Sequence, residues 1–236
     1  MTFILNLLHK NYSLLASDRE ANIVGRPGSL TKIQIGDITI SSDTGITLDG
    51  FRKVKLSRGG ACAVGIVGTV DDHHYFANFE ENEEIDSTLN CISESVQRFC
   101  LLSNRAMLLS SARYMINEGI VSFFDSKVGE FFSLLYKFTR MEMWEKWYYV
   151  PKDGGPMLIP AGSGSSKFEE AVGKLEIEKF VSEIADNNSN SRQAFDWIRD
   201  AYNKVSRVAD GVGGEPEFCL STRLAPLFCF TDKSDP

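Results

Sequence analysis

Apolar residues run without polar alternation through residues 2–8 (TFILNLL) and 12–16 (YSLLA), on either side of His9-Lys10-Asn11. Runs of this length with no polar face predict two hairpin strands, each buried on both faces. Residues 25–50 are rich in Gly, Ser, Thr and Asp, and KIQIGDITI and GITL within them predict short β-ribbons. RKVKL and ACAVGIVGTV then form a strand pair across Ser57-Arg58-Gly59-Gly60. From about Tyr75 to Ile116 the pattern turns helical, with Leu89, Ile92, Val96, Phe99 and Cys100 at helical spacing. IVSFF, EFFSLLYKF, WYYVP and MLIPAG return to strand. GSGSS opens a helix, SKFEEAVGKLEIEKFVSEIA, and a second helix follows, RQAFDWIRDAYNKVSRVA. DGVGG turns the chain into closing strands, EFCLST and LFCF, with a loose tail from about residue 231. Strands and helices thus come in segregated pairs rather than in βαβ alternation. This predicts a layered α+β sandwich of antiparallel sheets in one domain spanning residues 1–236, with a β-ribbon insertion at 25–50.

Composition narrows the classes of function. The chain has 236 residues, 43% hydrophobic and 24% charged, enough to bury a core without disulfides or metal. Its net charge of −7 argues against a nucleic-acid partner. Seven acids lie between Asp71 and Asp86 with no Lys or Arg among them; without that stretch 25 acids face 25 bases. Five widely spaced cysteines with no C-x-x-C fit reduced thiols in a cytoplasmic protein. The N-terminal apolar run lacks a basic leader and stops at His9-Lys10, and GGACAVGIVGTV is too short to span a bilayer, so no membrane role is expected.

Candidate chemistry gathers near the start of the chain. A hairpin brings its first and last residues to one end, so Thr2 and Asp18 become neighbours, and Lys53 at the start of the next strand pair can reach both. A threonine exposed by loss of Met1 carries its own base, an α-amino group of reference pKa about 7.7–8.0. A buried Lys⁺ lowers the cost of the developing alkoxide, and an Asp beside it keeps it charged and oriented. A glycine N–H at the adjacent strand supplies an oxyanion donor. Each residue also has an ordinary reading: Thr at position 2 is common, Asp18 suits a turn, and Lys53 suits a strand end. GSGSS lacks the Walker ending and reads as a helix cap. His73-His74 has no third ligand at helical spacing, so no metal is expected. Ser163 has no His-Asp partners for a triad. Trp144, Trp147, Tyr148 and Tyr149 read as core or subunit interface rather than a base-stacking platform.

With these motifs in order, the sequence resembles the proteasome β-subunit family of N-terminal-nucleophile hydrolases, including its bacterial peptidase relatives. The likeness rests on the Thr2–Arg19 spacing that ends in A-S-D-R, the K-V…A-V-G run of Lys53–Gly65, IPAGSGSSKFEEAV at Ile159–Val172, and A-D-G-V-G-G at Ala209–Gly214. It implies a four-layer αββα sandwich. It also implies that Thr2 is the nucleophile, Asp18 and Lys53 the acid and base around it, Gly65 the oxyanion donor, and Ser163 and Asp210 the supports of the amine. Two departures from the family bear on the site. The insertion between Asp18 and Lys53 leaves Lys32 as a rival for the lysine role, and Gly213 stands where many members carry serine.

The resemblance implies a cofactor-free threonine endopeptidase, a homo-oligomeric ring that encloses its sites and takes peptide or unfolded-protein substrates, with an ATP-dependent unfoldase as a further possible partner. The alternatives are an inactive proteasome-like scaffold or assembly subunit, and a small-molecule amidase of the same superfamily.

Overall fold

The computed structural model describes residues 2–23, 31–35, 38–42, 46–48, 52–56, 62–67, 90, 92–94, 117–138, 143–151, 153–186, 191–223 and 228–231. The strands run in order β1 (Ile4–His9), β2 (Tyr12–Ser17), β3 (Ala21–Ile23), β4 (Thr31–Ile35), β5 (Ile38–Ser42), β6 (Ile46–Leu48), β7 (Val54–Leu56) and β8 (Cys62–Val67). After them come β9 (Asn117–Asp125), β10 (Glu130–Phe138), β11 (Met143–Tyr149) and β12 (Met157–Ala161). Three helices follow, α1 (Ser165–Val172), α2 (Lys174–Asp186) and α3 (Ser191–Val205), then β13 (Glu217–Thr222) and β14 (Phe228–Thr231). Two antiparallel five-stranded sheets result, in the orders β12-β1-β2-β13-β14 and β11-β10-β9-β8-β7. The segment between Asp18 and Lys53 forms two small ribbons, β3 with β6 and β4 with β5.

Strands β1 and β2 are buried at every position because each face has its own layer to cover. Phe3, Leu5, Leu7, Tyr12, Leu14 and Ala16 pack with the three helices. Ile4, Leu8 and Leu15 point the other way and pack with Ala63, Ile120, Phe131 and Leu135 of the second sheet. A strand alternates its side chains between faces, so double coverage requires the unbroken apolar run. Between the sheets Asn6 is the exception. It donates to Ser133 Oγ and accepts from Ser13 Oγ at 3.0 Å, and Ser13 and Ser122 share a further hydrogen bond. These pairings supply partners that a buried amide needs.

The helical periodicity predicts one helix from residue 166 to 185, but the chain breaks it at Gly173. That residue adopts φ +93°, which costs glycine little, and its N–H caps α1 on Glu169 O at 2.9 Å. Helix α3 buries Ala194, Phe195, Ile198, Ala201, Tyr202 and Val205 along one face. At roughly 1.5–3 kcal/mol per large apolar side chain, this face anchors the helical layer to the hairpin. The outer face of the second sheet is also buried at Val64, Ile66, Phe123, Leu134 and Tyr136. Residues 92–94 are helical, and Ser93 Oγ donates to Glu145 Oε2 on β11 at 3.3 Å. The rest of the predicted 75–116 helices, the His73-His74 pair, the acidic stretch and the tail beyond residue 231 lie outside the described residues. On β11, Trp147 is partly buried beside Phe123, while Trp144 and Tyr149 are exposed. Cys62 and Cys219 are buried thiols. No helix among the described residues is long and apolar enough to cross a membrane.

His9, at the far end of β1, is 1% exposed, and burial followed by the nearby Lys10 charge lowers its pKa to about 4. A lowered histidine pKa means that the unfolded chain binds the proton more tightly. The stability contribution is therefore complete above the ordinary value near 6.5 and is lost as pH falls toward 4. Urea unfolding at pH 7 and pH 4.5 is expected to differ by about 2 kcal/mol more in the wild type than in His9→Phe. An equal pH dependence in both proteins overturns this.

Candidate active site

The hairpin ends and the start of β7 meet at one point. Thr2 precedes β1 and is 5% exposed, and its backbone N–H donates to Ser163 Oγ at 3.0 Å. Ser163 Oγ in turn lies 3.3 Å from Thr2 O, to which Gly164 N–H donates at 3.2 Å. The G-S-G turn before α1 therefore clamps the Thr2 backbone. Gly162 makes this approach possible: its φ is +84°, and a Cβ there would overlap Thr2 O.

One residue further in, Phe3 N–H donates to Asp18 Oδ1 at 2.7 Å, and Lys53 Nζ meets Asp18 Oδ2 at 2.6 Å. The Lys53 ammonium also donates to the carbonyl oxygen of Glu20. The side chains of Lys53 and Asp18 are only 2% and 1% exposed. Burial pushes the Asp18 pKa up, against the opposing pull of Lys53 and of backbone N–H groups. The same burial lowers the Lys53 pKa, opposed first by Asp18 and then by Glu20 and Glu217. Burial thus pushes each partner toward its neutral form, while the facing charge and hydrogen bonds hold both ionised. At 2.6 Å with additional hydrogen bonds, we assign the charged pair.

Of the residues singled out in the sequence, Thr2, Ser163, Asp18 and Lys53 come together here. Lys32 lies in β4 opposite Ser41, on the inserted ribbon. Gly65 is placed differently from what the resemblance implies. Gly65 sits inside β8 with β7 on one side and β9 on the other. Ile66 N–H donates to Lys53 O at 3.0 Å, so strand alternation turns the Gly65 N–H to β9, opposite Ile120, where the ladder uses it. The residue must be small for a packing reason: a Cβ at Gly65 would lie 3.0 Å from two side-chain carbons of Ile4. Asp210 is exposed on the turn after α3, and among the described residues no hydrogen bond or ion pair joins it to Thr2.

Three further residues complete the surroundings. Glu217, 3% exposed at the start of β13, accepts on one oxygen from Lys53 N–H at 2.6 Å, Val54 N–H at 2.8 Å and Ser17 Oγ at 3.2 Å. It fixes the backbone that carries Lys53. Tyr202 of α3 places its hydroxyl 2.7 Å from Ala16 O and 3.0 Å from Phe3 O, tying the helix to both hairpin strands. Val67 ends β8 beside the Gly162 turn. A glutamate opening an apolar strand reads in sequence like an ordinary strand-end charge, and nothing local distinguishes Glu217. Because all three bonds use one oxygen, Glu217→Gln should lose little stability, whereas Glu217→Leu strands two buried N–H groups. The expected cost of the leucine is about 2–5 kcal/mol by urea unfolding. Equal losses in the two variants contradict this placement.

A search of solved structures aligns 98% of this chain with 88% of Anbu (ancestral beta-subunit) from Yersinia bercovieri, at a TM-score of 0.56 and 10% sequence identity. The fold is proteasome-like. No protein-family profile matches the sequence, and no curated protein matches it. At 10% identity the likeness concerns the path of the backbone and says nothing of which side chains react.

Proposed function

We propose that the chain is a threonine-type peptidase of the N-terminal-nucleophile class, active once Met1 is removed. The observation that carries this is the meeting of Thr2 with a buried Asp18–Lys53 pair one residue behind it and with Ser163 on its backbone N–H. In this reading Thr2 Oγ1 attacks the scissile carbonyl and the freed Thr2 amine takes the hydroxyl proton. The amine then gives that proton to the leaving amine, which departs and leaves an ester on Thr2. The same amine removes a proton from the incoming water that hydrolyses the ester and returns it to Thr2 Oγ1 as the acyl–oxygen bond breaks. Lys53⁺ favours the developing alkoxide, Asp18 holds the lysine and the Phe3 N–H, and Ser163 orients the amine. Because the Gly65 N–H faces β9 in the ladder, this reading gives it no part in holding the oxyanion.

The finer architecture belongs to the same reading. The buried outer face of the second sheet and the Ser93–Glu145 contact support a fourth, helical layer, in a single domain. The exposed Trp144 and Tyr149 on the edge strand β11 support contact between copies, and with it a cytoplasmic ring that encloses its sites and admits peptide or unfolded chains.

A second reading, an inactive scaffold of the same fold, is favoured by the position of Gly65. One experiment separates the two: intact mass of the purified protein, with cleavage of unstructured peptides followed in parallel. Loss of one methionine together with turnover supports the peptidase. A Met1-free protein that cleaves nothing, in any assembly state seen by sedimentation, leaves the scaffold.

A further inference from the structure

Position 213 bears on the site through what fills its space. A Cβ on Gly213 would overlap Glu20 Oε2, so the Glu20 side chain lies where a residue larger than glycine would put its own. The two segments are joined there, since Arg19 N–H donates to Gly213 O at 3.1 Å. Glu20 also touches both members of the buried ion pair through its backbone. Its carbonyl oxygen accepts from Lys53 Nζ, and its N–H hydrogen-bonds the Asp18 carboxylate.

We propose that Glu20 is a positioning residue of this site, whose carboxylate is seated by the missing side chain at Gly213 and whose backbone amide holds the Asp18–Lys53 pair. Three carboxylates then bear on one buried ammonium: Asp18 from the end of β2, Glu20 from the root of the inserted ribbon, and Glu217 from β13. Arg52 offsets Glu217, and Tyr202 of α3 faces Asp18 and Glu217 as a neutral phenol, its pKa raised by burial. A lysine taken out of water tends to lose its proton, and added negative charge near it opposes that loss. The serine that many family members carry at position 213 would need the space the carboxylate occupies.

The proposal rests on the peptidase reading only for its activity measurement, so it is tested first without activity. In the Thr2→Ala protein, 13Cε-labelled lysine is titrated by NMR, with the Lys53 signal assigned by its loss in Lys53→Arg. Glu20→Gln removes the charge. Gly213→Ser displaces the flexible end of Glu20, which costs the fold little. Both are expected to lower the Lys53 midpoint by about one pH unit. The double variant Glu20→Gln/Gly213→Ser should go no further than either single, because both act on one seat. In the Thr2 protein each single variant should lower kcat about tenfold with KM within about twofold. A Lys53 midpoint unmoved by either substitution, or shifts that add in the double variant, overturns the proposal. A wild-type protein that cleaves nothing while the midpoint shifts as expected overturns the peptidase reading and leaves the placement of Glu20 standing.

Discussion

Thr2→Ala should reduce peptide cleavage to background, a loss on the order of 10⁴-fold or more, with folding unchanged. The reason is chemical: alanine keeps the α-amino group and removes the only oxygen that can form the ester. The structural cost is small. Thr2 lies before the first strand, and its contacts to Ser163 and Gly164 use main-chain atoms that alanine retains. Peptidase turnover and the urea midpoint, measured on the same preparations, give the check. Residual cleavage above about one part in a hundred of wild type would place the nucleophile elsewhere. Acetylating the N-terminus of the Met1-free protein should have a similar effect by removing the base, and full activity after acetylation would end the amine mechanism.

The second large effect is expected at Lys53. Lys53→Met deletes the ammonium from a site where Asp18 is buried and keeps its hydrogen bond from Phe3 N–H. Leaving one buried charge without its partner costs about 3–5 kcal/mol, far more than the pair itself is worth. In the proposed mechanism activity should be lost as well, because the developing alkoxide loses the cation assigned to it. Adding Asp18→Asn removes the stranded charge while the amide oxygen still accepts from Phe3 N–H. The double variant should therefore regain most of the lost stability and none of the activity. Lys32→Ala, on the ribbon, should change either quantity little. A Lys53→Met protein that unfolds like the wild type, or one rescued in activity by Asp18→Asn, would contradict this account of the pair. Both partners are pushed toward their neutral forms by burial.

Local pattern was sufficient for the hairpin that begins the fold. A strand covered on both faces must be apolar at consecutive positions, and TFILNLL and YSLLA show this directly. The meeting of Thr2 and Asp18 follows from the same information, because hairpin geometry returns the chain to its starting edge. The clamp by Ser163 was legible only through the likeness of motifs, since 161 residues separate it from Thr2. Lys53 and Lys32 were indistinguishable by composition. The structure sets Lys53 against Asp18 and pairs Lys32 with Ser41 on the inserted ribbon.

Other features depended wholly on tertiary structure. Gly65 carries a generic signal, a glycine in an apolar strand, and a catalytic N–H and a close sheet contact look identical in sequence. The register of β8 between β7 and β9 decides for packing, because it turns that N–H into the ladder. Glu217 and Glu20 are single charges in ordinary surroundings until distant segments enclose them. Their partners lie on other strands, and hydrogen-bond geometry across strands leaves no periodic trace along the chain. The sequence by itself determined which segments must be buried, because burial demands apolar side chains wherever a face is covered. Which polar groups share the site was decided by the stacking of the layers, because water is excluded there and each remaining charge must find its partner through space.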